Sequence, residues 1–404
     1  MDAKIIIPSD VEIPKSSLLT KLPIVLIGAG IAALVYWLTL FQADHGRAMI
    51  GYLYGFTVVL TLGLGSLIFV LIQHVTRAGW SVAIRRVPET VIALLPVFIL
   101  FFIPIAIFGH DLFPWMHESH IDDILQKKVG YLNERFFLMR SFSYLLVWAV
   151  MGVWFYKVSV GQDDSKNKDL TKTMQAVSAP AIIIFGLSVT FASFDWLMSL
   201  QPHWYSTMFG VYFFAGSMLF ALSFMTLMIM MLQKAGLLKA VSGEHFHDLG
   251  KLMFGFTVFW AYISFSQFML YWYGNIPEEV EFYTHRLHHG WDALSWAMPL
   301  IHFFIPFFLL MSRVLKRVKP VLAFNCLWII TVHVIDLYWL IIPAYNDPTV
   351  PDGPPHFHVE LVDVLALSGM FLILFGGYLL VLSRRKVMAV SDPRLSESLA
   401  FENF

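Results

Sequence analysis

A chain of 404 residues with 58% hydrophobic residues, 14% Asp, Glu, Lys and Arg and a mean hydropathy of +0.69 lies far outside the composition of soluble domains and reads as an integral membrane protein. Its formal net charge of -1 gives no basis for nucleic-acid binding. The single cysteine, Cys326, excludes an iron–sulfur cluster, a cysteine-based zinc site and a CxxCH haem attachment within the chain, since each needs at least two cysteines, and no bound metal is expected.

Residues 1–21 are polar and lack the basic, apolar, small-residue order of a secretory signal, so the first apolar run is expected to be a retained helix. Ten apolar segments of a length that crosses a hydrocarbon core follow, near 22–41, 51–75, 88–109, 136–160, 177–199, 207–232, 250–274, 292–314, 320–343 and 360–383. Strands do not compete, because barrel strands are about half as long and alternate polar with apolar residues. The expected fold is therefore an all-α integral membrane protein of about ten transmembrane helices.

The joint between the fifth and sixth segments reads Phe191-Ala-Ser-Phe-Asp195-Trp-Leu-Met-Ser-Leu-Gln-Pro-His-Trp-Tyr205. It places a carboxylate inside the last turns of an apolar run, and Trp196, Trp204 and Tyr205 are expected to form an interfacial aromatic belt around it. Lys and Arg are strongly asymmetric across the segments: 21 of 27 fall on the side of the N-terminus and 5 on the other, with Arg140 inside a segment. The positive-inside rule then puts both termini in the cytoplasm and the Asp195 joint outside, together with ten of the 15 histidines. The long loops His110–Glu134, Asn275–Trp291 and Ala344–His358 share that outer side and suit either docking of an extrinsic partner or plain capping of helix ends.

Segments 2 and 6 open alike, Gly51-Tyr52-Leu53-Tyr54 against Gly210-Val211-Tyr212, and run in the same direction. A parallel duplication would give two four-helix bundles, 51–206 and 207–345, with two peripheral helices in 1–50 and 346–404.

Chemistry is sought in the buried polar residues, since each charge at mid-bilayer costs ~3 kcal/mol on insertion scales. His333 and Asp336 lie at i, i+3 on one helical face, where the carboxylate can hold the imidazole in one tautomer or pass it a proton, and His302 lies at a comparable depth. Asp195 and Arg140 both sit one to two turns from the outer surface and can pair, Glu89 and His74 lie toward the cytoplasm, and Asp292, Glu360 and Asp363 read as helix N-terminal acids. Asp195, His302, His333, Asp336, Arg140 and Glu89 are thus candidates for proton transfer, and Asp195 with Arg140 for the polar end of a quinol pocket, where a carboxylate or neutral imidazole accepts from a hydroxyl. The competing readings are that these groups are satisfied pairs fixing helix packing, or that His302 and His333 ligate a b-type haem; the bulky runs beside both histidines argue against room for the macrocycle.

The ten-segment plan, the Ser193-Phe194-Asp195-Trp196-Leu197-Met198-Ser199-Leu200 joint running into Gln201-Pro202-His203-Trp204-Tyr205, and the His285-Arg286 loop resemble the NrfD-like, polysulfide reductase type membrane subunits. Within these they are most similar to the ActF subunits of bacterial alternative complex III, a quinol:cytochrome c or quinol:oxidase oxidoreductase. The resemblance spans essentially the whole chain. It implies a multi-pass subunit of the bacterial inner membrane with no cofactor of its own. Its implied partners are an ActC-like membrane paralogue, which holds the working quinol pocket, extrinsic subunits with iron–sulfur clusters and c-type haems, a terminal oxidase, and lipid. The resemblance favours proton translocation through Asp195, His302, His333 and Asp336 over quinol oxidation at Asp195 and Arg140. Two other classes fit the same residues: a secondary transporter, for which Pro96, Pro104, Pro299 and Pro306 supply helix breaks, and a structural anchor for extrinsic subunits.

Overall fold

The computed structural model describes residues 10–117, 122–345 and 354–402. Among the described residues every regular element is helical, and ten helices are long and apolar enough to cross a membrane. The first two spans are α1 (Leu18–Phe41) and α2 (His45–Val75), and the third is split into α3 (Arg86–Ile92) and α4 (Val97–Ile107). A short helix α5 (Asp123–Lys128) precedes α6 (Glu134–Ser165), α7 (Asp169–Trp196), α8 (Phe209–Lys234) and α9 (Gly243–Gly274). After the short α10 (Pro277–His285), the eighth span comprises α11 (Trp291–Met298), a π-helical turn over Pro299–Phe304 and α12 (Ile305–Met311). The chain continues through α13 (Arg313–Arg317), α14 (Lys319–Ile341), α15 (Leu361–Leu382) and α16 (Leu395–Leu399).

All ten expected segments coincide with helices long and apolar enough to cross a membrane, and several start earlier than their apolar runs because polar residues cap them. Asp44 accepts from the Arg47 amide at 2.8 Å to start α2, Asn133 accepts from the Phe136 amide at 3.0 Å to start α6, and Ser242 with His245 forms a capping box at α9. Prolines interrupt two spans. Pro96 ends the turn between α3 and α4, and Pro299 heads the π-helical turn, where the missing N–H frees a carbonyl from the ladder.

Helices surrounded by lipid gain little from hydrophobic contact, so small residues decide where backbones approach. The central pair is α2 and α8, the two helices whose openings match in sequence; both are buried along most of their length. They close at Gly65, where an added Cβ would fall 2.0 Å from the Ser217 carbonyl oxygen. α1 lies along α15 through Gly30, Gly369 and Gly376, and α15 packs on α2.

Both terminal segments meet at one end of the bundle, below called the terminal end. The Val387 amide donates to the Val11 carbonyl at 2.8 Å, the Leu238 amide to the Asp10 carbonyl at 3.2 Å, and Ser398 bridges the Trp80 carbonyl and the Ala83 amide. The Asp195 joint lies at the opposite end.

The α2–α8 contact makes a contrast between two glycines testable. Gly65→Ala drives a methyl group into backbone and is expected to destabilise detergent-purified protein by about 1–3 kcal/mol or more. Gly255→Ala, with no atom within 4 Å of the new Cβ, is expected to be neutral or stabilising in the same denaturation assay.

Candidate functional site

The acid of the joint, Asp195, sits in the last turn of α7 and is fully buried. Arg140 of α6 meets it bidentately at 2.9 and 2.8 Å, and Tyr144 donates to the same carboxylate at 2.9 Å. The guanidinium also donates to the Tyr131 carbonyl at 3.0 Å and lies over the Tyr131 and Phe136 rings. This is the pairing expected from depth, and both carboxylate oxygens are already engaged by protein donors. The aromatic residues around it correct the expected belt: Trp196 and Trp204 are buried rather than interfacial, and only Tyr205 is exposed. Trp196 donates to Ser141 at 2.9 Å among aromatic neighbours, and Trp204 stacks on Phe282 at 4.0 Å, because the joint folds inward over the helix ends.

Glu89 lies near the terminal end and is held by arginines. Arg85 approaches it at 2.8 Å and Arg86 at 3.2 Å, while Ser159 donates at 2.6 Å. The same two arginines reach Asp392 of the C-terminal tail at 2.7 Å and Asp163 of α6 at 2.5 Å, so the cluster clamps the tail onto the bundle. At the other end Arg47 of α2 binds Glu360 at 2.8 Å and Asp363 at 2.7 Å, and Tyr338 of α14 donates to Asp363 at 3.0 Å. Glu360 and Asp363 do cap α15, as expected of helix N-terminal acids, but they also bind an arginine from α2.

His302, His333 and Asp336 are brought together by α14 and the π-helical turn. One ring nitrogen from each histidine and one carboxylate oxygen all lie within 4.8 Å of one another, and all three residues are buried. The expected bond between His333 and Asp336 is replaced by bonds to other helices. Tyr212 of α8 donates to Asp336, and His333 Nε2 lies 3.0 Å from the Thr61 hydroxyl of α2. Among the described residues both nitrogens of His302 and Nδ1 of His333 have no hydrogen-bond partner. An imidazole always presents a donor or acceptor at each nitrogen, and leaving one unmade in a buried site costs about 1–3 kcal/mol. Water or a mobile proton is what such open positions accommodate.

Among the described residues this is the cluster whose donor set suits a metal. Two imidazoles and a carboxylate are acceptable to zinc, and Tyr212 hydrogen-bonds one atom of Asp336 and Thr61 one atom of His333. Trp260 stacks on His302 with ring centroids 3.6 Å apart, which fixes the plane of the imidazole.

A line of polar groups leads from the cluster toward the Asp195 end. Arg286 is 1% exposed, and among the described residues it donates to no carboxylate. Its guanidinium donates instead to the Phe282 carbonyl at 2.6 Å and to the Trp339 and Leu340 carbonyls at 3.1 and 2.7 Å, capping the last turn of α14. Burial pushes its pKa down to about 9, which still leaves it cationic at neutral pH, and the Tyr212 and Tyr283 hydroxyls lie within its electrostatic reach. Gln201 of the joint joins Arg286 at 3.3 Å to His285 at 3.2 Å, and Gln267 joins Tyr283 at 3.2 Å to Ser206 at 3.0 Å. Tyr212 and Arg286 escaped the sequence reading of buried acids and histidines, since a phenol and a loop arginine are unremarkable until folding carries them inward.

If Arg140 serves chiefly to neutralise Asp195, Arg140→Met strands a buried carboxylate and is expected to destabilise the detergent-purified protein by about 3–5 kcal/mol in chemical denaturation. Pairing it with Asp195→Leu is expected to recover most of that loss. No protein-family model matches the chain, and no curated protein matches it.

Proposed function

We propose that this chain is a membrane subunit of a respiratory quinol:electron-acceptor oxidoreductase of the alternative complex III type, and that it moves protons through the Asp336, His333 and His302 cluster. The observation that carries the reading is the set of three open imidazole nitrogens beside a buried carboxylate. The buried acid Asp195, by contrast, has its hydrogen bonds made by Arg140 and Tyr144. A group that passes protons needs an open position on each side.

In this reading Tyr212 hands protons between Asp336 and the polar groups around Arg286, Gln201 and His285. His302 and His333 face the interior side of the relay, and Thr61 holds one His333 nitrogen. Arg140 with Asp195, and Glu89 with Arg85 and Arg86, keep the helices in register. Quinol oxidation belongs to an ActC-like paralogue in this reading, because three donor groups of Arg140 and Tyr144 already crowd the Asp195 carboxylate. The chain sits in the bacterial inner membrane with its terminal end in the cytoplasm, as its Lys and Arg distribution favours. Iron–sulfur and c-type cytochrome subunits dock on the complex and pass electrons to an oxidase.

A second reading has its own observation. The third and eighth spans are both discontinuous, and broken helices at mid-membrane are how secondary transporters build substrate sites.

Proton release per electron in reconstituted complex separates the readings. Asp336→Asn and His333→Ala are expected to lower the proton-to-electron ratio while assembly is retained, and an unchanged ratio with full turnover contradicts the proposal. Solute uptake by the chain alone in liposomes would favour the transporter.

A further inference from the structure

The ends of α2 and α7 and the C-terminal tail enclose a second polar feature, at the terminal end and away from the histidine cluster. It is a half-open cavity of about 560 Å³. Five cationic side chains line it, Arg77, Arg85, Lys168, Lys172 and Arg394, against the two acids Asp169 and Asp392. Arg85 is neutralised by Glu89 and Asp392, Lys172 lies 3.0 Å from Asp169, and Arg394 lies 2.7 Å from Glu397. Among the described residues Arg77 and Lys168 have no carboxylate partner, so the wall keeps an unbalanced positive charge.

Two further features point to an anion in this space. α7 begins at the cavity with the positive end of its dipole; its N-cap Lys168 offers no side-chain acceptor, while the Asn167 side chain takes the Asp169 amide at 3.0 Å. Deeper in, the His74 side chain is 3% exposed and its Nε2 has no hydrogen-bond partner. An open buried imidazole nitrogen, two unpaired cations and a helix N-terminus are groups that can donate to phosphate oxygens.

We propose that this cavity binds a phosphate group. The cavity exceeds the size of one phosphate ion and opens where two long apolar helices end, which is the level of lipid headgroups, so the carrier it fits is an anionic phospholipid whose acyl chains run along the exposed face of α7. Free phosphate offers the same chemistry from solution. The site is independent of the proton relay, and neither Arg77 nor Lys168 takes part in it.

The test uses the full chain purified in detergent, titrated with phosphatidylglycerol or phosphatidylcholine and followed by native mass spectrometry. Saturable binding of phosphatidylglycerol over phosphatidylcholine is expected. Arg77→Gln combined with Lys168→Gln is expected to weaken it by about tenfold or more, while Lys239→Gln, an exposed change at the same end outside the cavity, leaves it alone. Both cavity positions are exposed, and an unchanged thermal unfolding midpoint checks that the variant is folded. Displacement of the lipid by millimolar inorganic phosphate, or phosphate binding without lipid binding, assigns the site to soluble phosphate, and resistance to displacement assigns it to the lipid. Equal retention of the two lipids with no phosphate binding, or full binding by the double variant, overturns the proposal.

Discussion

A charge or polar group without a partner inside hydrocarbon costs several kcal/mol, and this one penalty organises the molecule. Arg140 with Asp195, Arg47 with Glu360 and Asp363, and Arg85 and Arg86 with Glu89, Asp392 and Asp163 each join helices distant in sequence. Arg286 meets the same demand without an acid, by taking the end carbonyls of α14. Replacing such pairs by well-packed apolar residues is often neutral for stability, so their use is to fix which helix faces meet. The small-residue contact of α2 with α8 then sets the distance between these two central helices.

Set against this background, the cluster of His302, His333 and Asp336 departs from the pattern. Three buried nitrogens are left open beside a carboxylate in a chain that elsewhere completes the hydrogen bonds of its buried acids. The π-helical turn at Pro299–Phe304 is the local cause, because it carries His302 out of the regular helical register and against Trp260. Open imidazole positions beside a buried carboxylate are what a relay of protons requires.

Much of the architecture was legible in the sequence because it depends on local properties. Apolar length gave ten spans, and depth along the segments brought Arg140 to Asp195 and His302 toward His333. What escaped was set by contacts between residues far apart in the chain. The phenol that binds Asp336 comes from Tyr212, the arginine that binds Asp363 comes from Arg47, and the tail acid Asp392 crosses to Arg85. The inward position of Trp196 and Trp204 escaped for a related reason: aromatic residues at the end of an apolar run suit a lipid interface and a core equally, and the fold of the joint chose the core. The proline-rich loop at 346–353, and His120, read from sequence as part of the outer face, lie outside the described residues.

The claim on which the rest turns is that the Asp336 site exchanges protons during electron transfer. Infrared difference spectroscopy of the assembled complex, reduced by quinol and reoxidised, observes the carboxyl group itself. A carbonyl stretching band that changes with redox state and vanishes in Asp336→Asn is the result predicted here. A redox difference spectrum identical in the wild type and the variant would contradict it.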